Sequence, residues 1–255
     1  MKERHRISRW AYLLVSATAV TGCDNVFRID HLNYRGDAPG VGADAEPHDP
    51  DARPTDAPAA DAPKLACANG TPLLHDAFNS SATPCDPWGY DYFDVGVSVS
   101  QNGTLNVSSY AAGAAVGGCA NIMAGKLPFT GDGVMAKVDA IITGGNAYNV
   151  LEIQGPPDLV IKQYGATLAF QTAASVDIGS TNYTSAQKYW RIRPDPNNPD
   201  TRIVGELSTD GSTWNNLGTV TVASVPSTVG IQLAFGTNSG GGTGVARVDE
   251  LFVCP

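Results

Sequence analysis

The sequence predicts an all-β sandwich of short antiparallel strands, preceded by a long segment with no core of its own. Three observations carry this. Past residue 70, apolar and polar residues alternate with period two; glycine, asparagine and aspartate repeatedly interrupt the alternation; and no stretch sustains a helical period. The 192 residues from Lys64 to Pro255 are enough to bury one substantial core.

The elements follow in chain order. Lys2, Arg4, Arg6 and Arg9 form a basic start, and an apolar run from Ala11 to Val20 follows. This order reads as a secretory signal peptide. The run is too short to cross a bilayer as a helix, which takes about 20 residues. Val20-Thr21-Gly22-Cys23 comes next and resembles a bacterial lipobox. That resemblance implies cleavage after residue 22 and acylation of Cys23, giving a lipid anchor in the bacterial cell envelope, on its periplasmic or outer surface. Residues 23–64 then form the lipidated N-terminus and a tether. From Asn33 to Pro63 aspartate, alanine and proline dominate, with little to bury, so ordering entropy is not offset. Extended at about 3 Å per residue, about thirty such residues reach up to roughly 90 Å.

Residues 65–255 form the folded domain. Val95 to Val99 and Leu105 to Val107 flank Asn102-Gly103, a favoured hairpin dipeptide. Strands are expected at Val134 to Ile142, Tyr148 to Gln154, Leu159 to Tyr164 and Thr167 to Gln171. Others follow at Tyr189 to Arg193, Arg202 to Ser208, Trp214 to Val222, Val229 to Phe235 and Val245 to Val253, with a tight turn at Asp210-Gly211. The total is about a dozen. Trp88, Tyr90, Tyr92 and Phe93 are expected to cap the core edge.

Four cysteines in an exported domain predict two disulfides. Chain ends often lie close together, which favours Cys67–Cys254 and leaves Cys85–Cys119. No Cys-x-x-Cys spacing supports zinc.

The net charge of -9 leaves no basic stripe once residues 1–22, with four bases and one acid, are removed; nucleic acid is not an expected partner. The acidic balance is a solubility device.

Tyr189-Trp190-Arg191-Ile192-Arg193 followed by Glu206-Leu207-Ser208-Thr209-Asp210-Gly211-Ser212-Thr213-Trp214 resembles a hairpin of concanavalin A-like lectin/glucanase domains. Asp76-Ala77-Phe78 and Arg247-Val248-Asp249-Glu250-Leu251-Phe252-Val253 resemble that family's paired terminal strands. The resemblance spans most of residues 71–255 and implies an antiparallel jelly roll, one sheet of which is concave and often binds saccharides. These are scaffold motifs and name no activity.

With Trp190 and Trp214 assigned to the core, alternation sends Tyr189, Arg191 and Arg193 to the other side of their strand. The same reasoning groups Tyr148 with Glu152 and Gln154, Lys162 with Tyr164, and Arg202 with Glu206 and Ser208. The expected ligand face therefore comprises Tyr148, Glu152, Lys162, Tyr164, Tyr189, Arg191 and Glu206. Aromatic rings cover the C–H faces of sugars while planar polar groups bond their hydroxyls. The competing reading is a solvated sheet with cross-strand pairs such as Glu152–Lys162 or Arg191–Glu206. Hydrolysis needs two carboxylates about 5–9.5 Å apart, and the candidates are Glu152 and Glu206. The Glu-x-Asp-x-Glu run of glucanases of this fold is missing. No cofactor is expected. A structural calcium ion has candidate ligands in Asp195, Asn197 and Asp200, or in Asp76 and Asp249. The expectation is a surface-tethered lipoprotein with a non-catalytic module for saccharide or envelope glycan. The alternatives are an atypical glycan hydrolase and a structural or adhesive envelope protein without a small-molecule site.

Overall fold

The computed structural model describes residues 67–255 except 69, 80–82, 87, 110–112, 122–125, 145 and 240. The signal peptide, acylated Cys23 and the tether lie outside the described residues. Two eight-stranded antiparallel sheets pack face to face. The first runs β14 (Asn215–Thr221), β13 (Arg202–Ser208), β12 (Tyr189–Pro194), β7 (Gly133–Ala140), β16 (Val245–Cys254), β4 (Leu105–Ser109) and β3 (Val97–Gln101), with β1 (Leu74–Asp76) also paired to β16. The second runs β11 (Asp177–Asn182), β10 (Thr167–Thr172), β9 (Leu159–Tyr164), β8 (Ala147–Gln154), β15 (Thr228–Thr237), β5 (Ala115–Ala120) and β2 (Tyr90–Phe93), with β6 (Leu127–Pro128) on β15. The alternation predicts this all-β architecture, and the jelly-roll form is the one the resemblance implies.

The core lies between the sheets. Trp190, Ile192, Val134, Ala136 and Leu251 of the first sheet meet Leu151, Ile153, Ile161, Phe170 and Leu233 of the second, all buried. Trp190 is fully buried, and its Nε1 donates to the Gln187 carbonyl at 2.8 Å, so the indole's polar edge is satisfied. Gly205 lies under Phe170: a Cβ there would stand 2.6 Å from the ring, so this inward position on β13 requires glycine.

Both disulfides form as expected, Cys67–Cys254 and Cys85–Cys119. Several elements differ from the sequence expectation. Among the described residues the sandwich has sixteen strands, more than expected, because β1, β5, β6 and β11 are short, glycine-rich or polar and show little apolar alternation in sequence. Tyr90–Phe93 is an edge strand; Trp88 and Phe93 of that aromatic group pack on the core, the Trp88 Nε1 donating to Asp76 Oδ2 at 2.7 Å, while Tyr90 and Tyr92 belong to the outer cluster. The Asp210-Gly211 turn is part of a longer loop, residues 209–214. There Asp210 Oδ1 accepts the backbone N–H of Ser212 at 2.8 Å and of Thr213 at 2.7 Å. Those bonds hold the Asp210 carboxyl well below the usual carboxylate range.

Candidate functional site

The seven residues expected on one ligand face stand on two. Tyr189, Arg191 and Glu206 belong to β12 and β13 of the first sheet, whereas Tyr148, Glu152, Lys162 and Tyr164 belong to β8 and β9 of the second. Both sets point away from the shared core, so the sandwich separates them. Alternation assigns a side chain to one side of its own strand and says nothing about which sheet that strand joins.

On the first sheet, charges are consumed internally. Arg191 Nε donates to Glu206 Oε2 at 2.7 Å, and its Nη1 reaches Asp132 at 3.2 Å. Arg193 adds bonds to both oxygens of Glu206, at 2.8 and 3.0 Å. Burial pushes the Glu206 carboxyl up, but these arginine bonds outweigh it and hold the group below its ordinary range. Arg191 lies 3.9 Å from the Trp214 ring centroid. Trp214 is therefore on the arginine side and only partly buried, not in the central core as expected. Tyr189 packs with Met135, Phe252 and the Cys67–Cys254 pair. The Arg191–Glu206 pair expected of a structural sheet is formed here, within a larger network.

The second sheet's outer face is built differently. Register places Tyr148 opposite Tyr164, Val150 opposite Lys162, and Glu152 between Val160 on one side and Gln232 on the other. The Lys162 ammonium lies 5.6 Å from both the Tyr148 and the Tyr164 ring centroids. Because Glu152 faces Val160, no Glu152–Lys162 ion pair is among the bridges of the described residues. Tyr92, on the same face, accepts from Gln232 Nε2 at 2.6 Å. Glu152 Oε1 accepts from Gln154 Nε2 at 3.2 Å, and Oε2 is buried with no hydrogen-bond partner. Glu152 is 2% exposed. Burial raises its carboxyl, the Gln154 bond opposes that, and nearby Asp158 adds to it; the result is pushed up to about 7. Gln154 is partly exposed and lines a cleft of about 480 Å³ with Lys126, Gly155, Pro156, Pro157, Asp158 and Gly230.

Tyr148, Glu152 and Gln154, grouped on one side of their strand by alternation, stand on the same outer face as Lys162 and Tyr164. Tyr90, Tyr92 and Gln232 share that face and were not expected there. The signal for the tyrosines was the period-two Tyr90-Asp91-Tyr92; Gln232 had none, because its neighbours across the sheet are distant in sequence. Tyr148 is also not solvent-facing, at 4% exposure, while Tyr164 reaches 36%. Glu152 and Glu206, the candidate catalytic pair, occupy outward faces of opposite sheets and cannot flank one bond.

Of the candidate calcium ligands, Asp195, Asp76 and Asp249 have their carboxylates engaged within the protein. Asp195 pairs with Arg202 at 3.4 Å and accepts the Asn197 N–H at 3.0 Å. Asp200 is exposed, its carbonyl accepting the Val225 N–H at 2.8 Å. Asp76 accepts from the Phe78 N–H and from Trp88, and Asp249 pairs with Lys137. Among the described residues no group of three His, Cys, Asp or Glu side chains is placed to hold a metal ion.

No protein-family model matches the chain, and no curated protein matches it in sequence. Solved structures share its fold. SCLam, a non-specific endo-β-1,3(4)-glucanase of family GH16, is 10% identical, with TM-score 0.52 over 72% of this chain and 90% of that one. A chain solved in connection with endo-acting O-glycanases, which prominent members of the human gut microbiota express to initiate mucin breakdown, is 9% identical. Its TM-score is 0.53 over 75% of this chain and 92% of that one. Lectin II from Ulex europaeus is 12% identical, with TM-score 0.47 over 71% and 98%. At such identities the likeness to the glucanase and to the O-glycanase-related chain is one of fold alone.

Proposed function

We propose that this jelly roll binds saccharides, without catalysis, on the outer face of its second sheet, and that acylated Cys23 holds it to a bacterial envelope membrane. One observation carries the reading: Tyr90, Tyr92, Tyr148 and Tyr164 share a face with Glu152, Gln154 and Gln232, beside an open cleft. Tyrosine rings suit the C–H faces of a sugar, and amide and carboxyl groups suit its hydroxyls. On the first sheet's outer face, Arg191 and Arg193 bond Glu206, and Arg191 also bonds Asp132. Glu206, the carboxylate expected to pair with Glu152 in hydrolysis, is on the other sheet. Two disulfides fit an oxidising compartment, as export requires.

The test is an array of neutral β-glucans and mucin-type O-glycans, chosen from the ligand classes named for the glucanase and O-glycanase structures. Binding is expected, with no release of shorter sugars. Tyr164→Ala should weaken it by about 1–3 kcal/mol, the size of one aromatic contact, while Trp214→Ala on the other face leaves it unchanged. Failure to bind any glycan, or equal loss from both substitutions, refutes the reading.

A further inference from the structure

This inference rests on the saccharide reading and concerns how the site selects its ligand. We propose that Glu152 is the specificity-determining group of the face. Its Oε2 accepts a hydroxyl donated by the ligand once Gln154 swings toward the cleft.

The geometry begins with an unmet bond. A buried carboxyl oxygen without a donor is costly, and folded proteins rarely keep one. Among the described residues only Ser109 Oγ shares this condition. The donors nearest Glu152 are committed elsewhere: Gln232 Nε2 to the Tyr92 hydroxyl at 2.6 Å, and the Tyr92 hydroxyl to the Leu233 carbonyl at 3.4 Å. Gln154 bonds the carboxyl, and it is also the partly exposed side chain between Glu152 and the cleft. Its contacts are long, 3.2 Å to Glu152 and 3.5 Å to Gln232, so little holds it in place. Moving one side chain brings a ligand's donor to the empty oxygen.

The charged and titratable surroundings set the direction of the proton. Tyr90 and Tyr92 approach from β2, Tyr148 from β8 itself, and Asp158 from the turn that follows β8. β9 brings Tyr164 and Lys162, the latter directed to the two tyrosine rings. Beyond it, Asp177 of β11 is bonded by Gln171 of β10, and Lys126 lies across the cleft. β5 and β15 present no ionisable side chain on this face, only Val116, Gly118, Ala120, Gln232, Ala234 and Gly236. The nearby acids and the burial favour the neutral carboxyl. A hydroxyl donated to Oε2 favours the ionised one, so binding and deprotonation must reinforce each other.

The experiment titrates the whole chain with neutral β-linked gluco-oligosaccharides by calorimetry at pH 6 and pH 8, in buffers of differing ionisation enthalpy. Affinity should be about tenfold higher at pH 8, with net proton release near pH 7. Glu152→Gln, checked for folding by thermal unfolding, should bind more weakly and lose both the pH dependence and the proton release. Gln154→Ala, which removes the cover and keeps the carboxyl, should retain both. Equal affinity at the two pH values, or wild-type behaviour of Glu152→Gln, overturns this inference and leaves the saccharide reading standing. Absence of all glycan binding overturns both. Carbon-13 NMR of the ligand-free chain is an independent arm: a Glu152 carboxyl titrating in the ordinary range overturns the inference whatever binds.

Discussion

The two outer faces of this sandwich draw on one vocabulary of tyrosine, long cations and glutamate, yet they satisfy it in opposite ways. Glu206 on the first sheet accepts three bonds from Arg191 and Arg193, and Arg191 continues to Asp132 and the Trp214 ring. Glu152 on the second sheet takes one long bond from Gln154 and leaves an oxygen bare. Composition does not separate a face that holds a protein together from one that awaits a ligand. Whether each polar atom already has a partner does.

The first sheet's side should prove the structural one, and the largest effect is expected there. Replacing Cys67 and Cys254 together by alanine opens a loop of 187 residues whose closure contributes up to about 5 kcal/mol. It also loosens the cluster of Met135, Tyr189 and Phe252 around that disulfide. Denaturant unfolding measures the loss; glycan affinity of the folded protein should be unaffected. A change in affinity comparable to the change in stability would break the division of labour between the faces.

Glu206→Ala comes next. It leaves Arg191 buried with Asp132 as its remaining acid, and breaking such a pair costs about 3–5 kcal/mol. The sign in pH follows from its lowered carboxyl. The wild-type contribution is present above the unfolded pKa and fades as pH falls through the folded value, so the gap between variant and wild type should narrow in acid.

Glu152→Gln should run the other way and sharpen the contrast. The raised carboxyl prefers its proton in the folded state. Wild-type stability is therefore fully present below about pH 4.5 and declines as pH rises through about 7. At about 1.4 kcal/mol per pKa unit, the glutamine variant should be more stable than wild type by about 3 kcal/mol at pH 8, and nearly equal to it at pH 4. Unfolding curves at the two pH values decide it. A destabilised Glu152→Gln at pH 8 would mean that Glu152, like Glu206, is a structural anchor.

Much of this protein is a local property of its residues. Period-two alternation determined the sandwich, the inward turn of Trp190 and Ile192, and the companionship of Tyr148 with Glu152 and of Lys162 with Tyr164, because successive side chains of a strand must point to opposite sides. The even cysteine count called for two disulfides, and of the three possible pairings the usual nearness of chain ends favoured the one that forms. Other features depend on pairing between strands far apart in sequence. β15 lies beside both β8 and β5, which brings Gln232 and Tyr92 to Glu152; β12 lies beside β7, which sets Arg191 against Met135 and within reach of Asp132. Alternation fixes two possible sides and leaves the sheet, the neighbours and the available bonds to topology. Only the tertiary structure could therefore divide one expected binding face into a closed network and an open one, since a hydrogen bond requires a particular partner within about 3 Å and no sequence pattern supplies that distance.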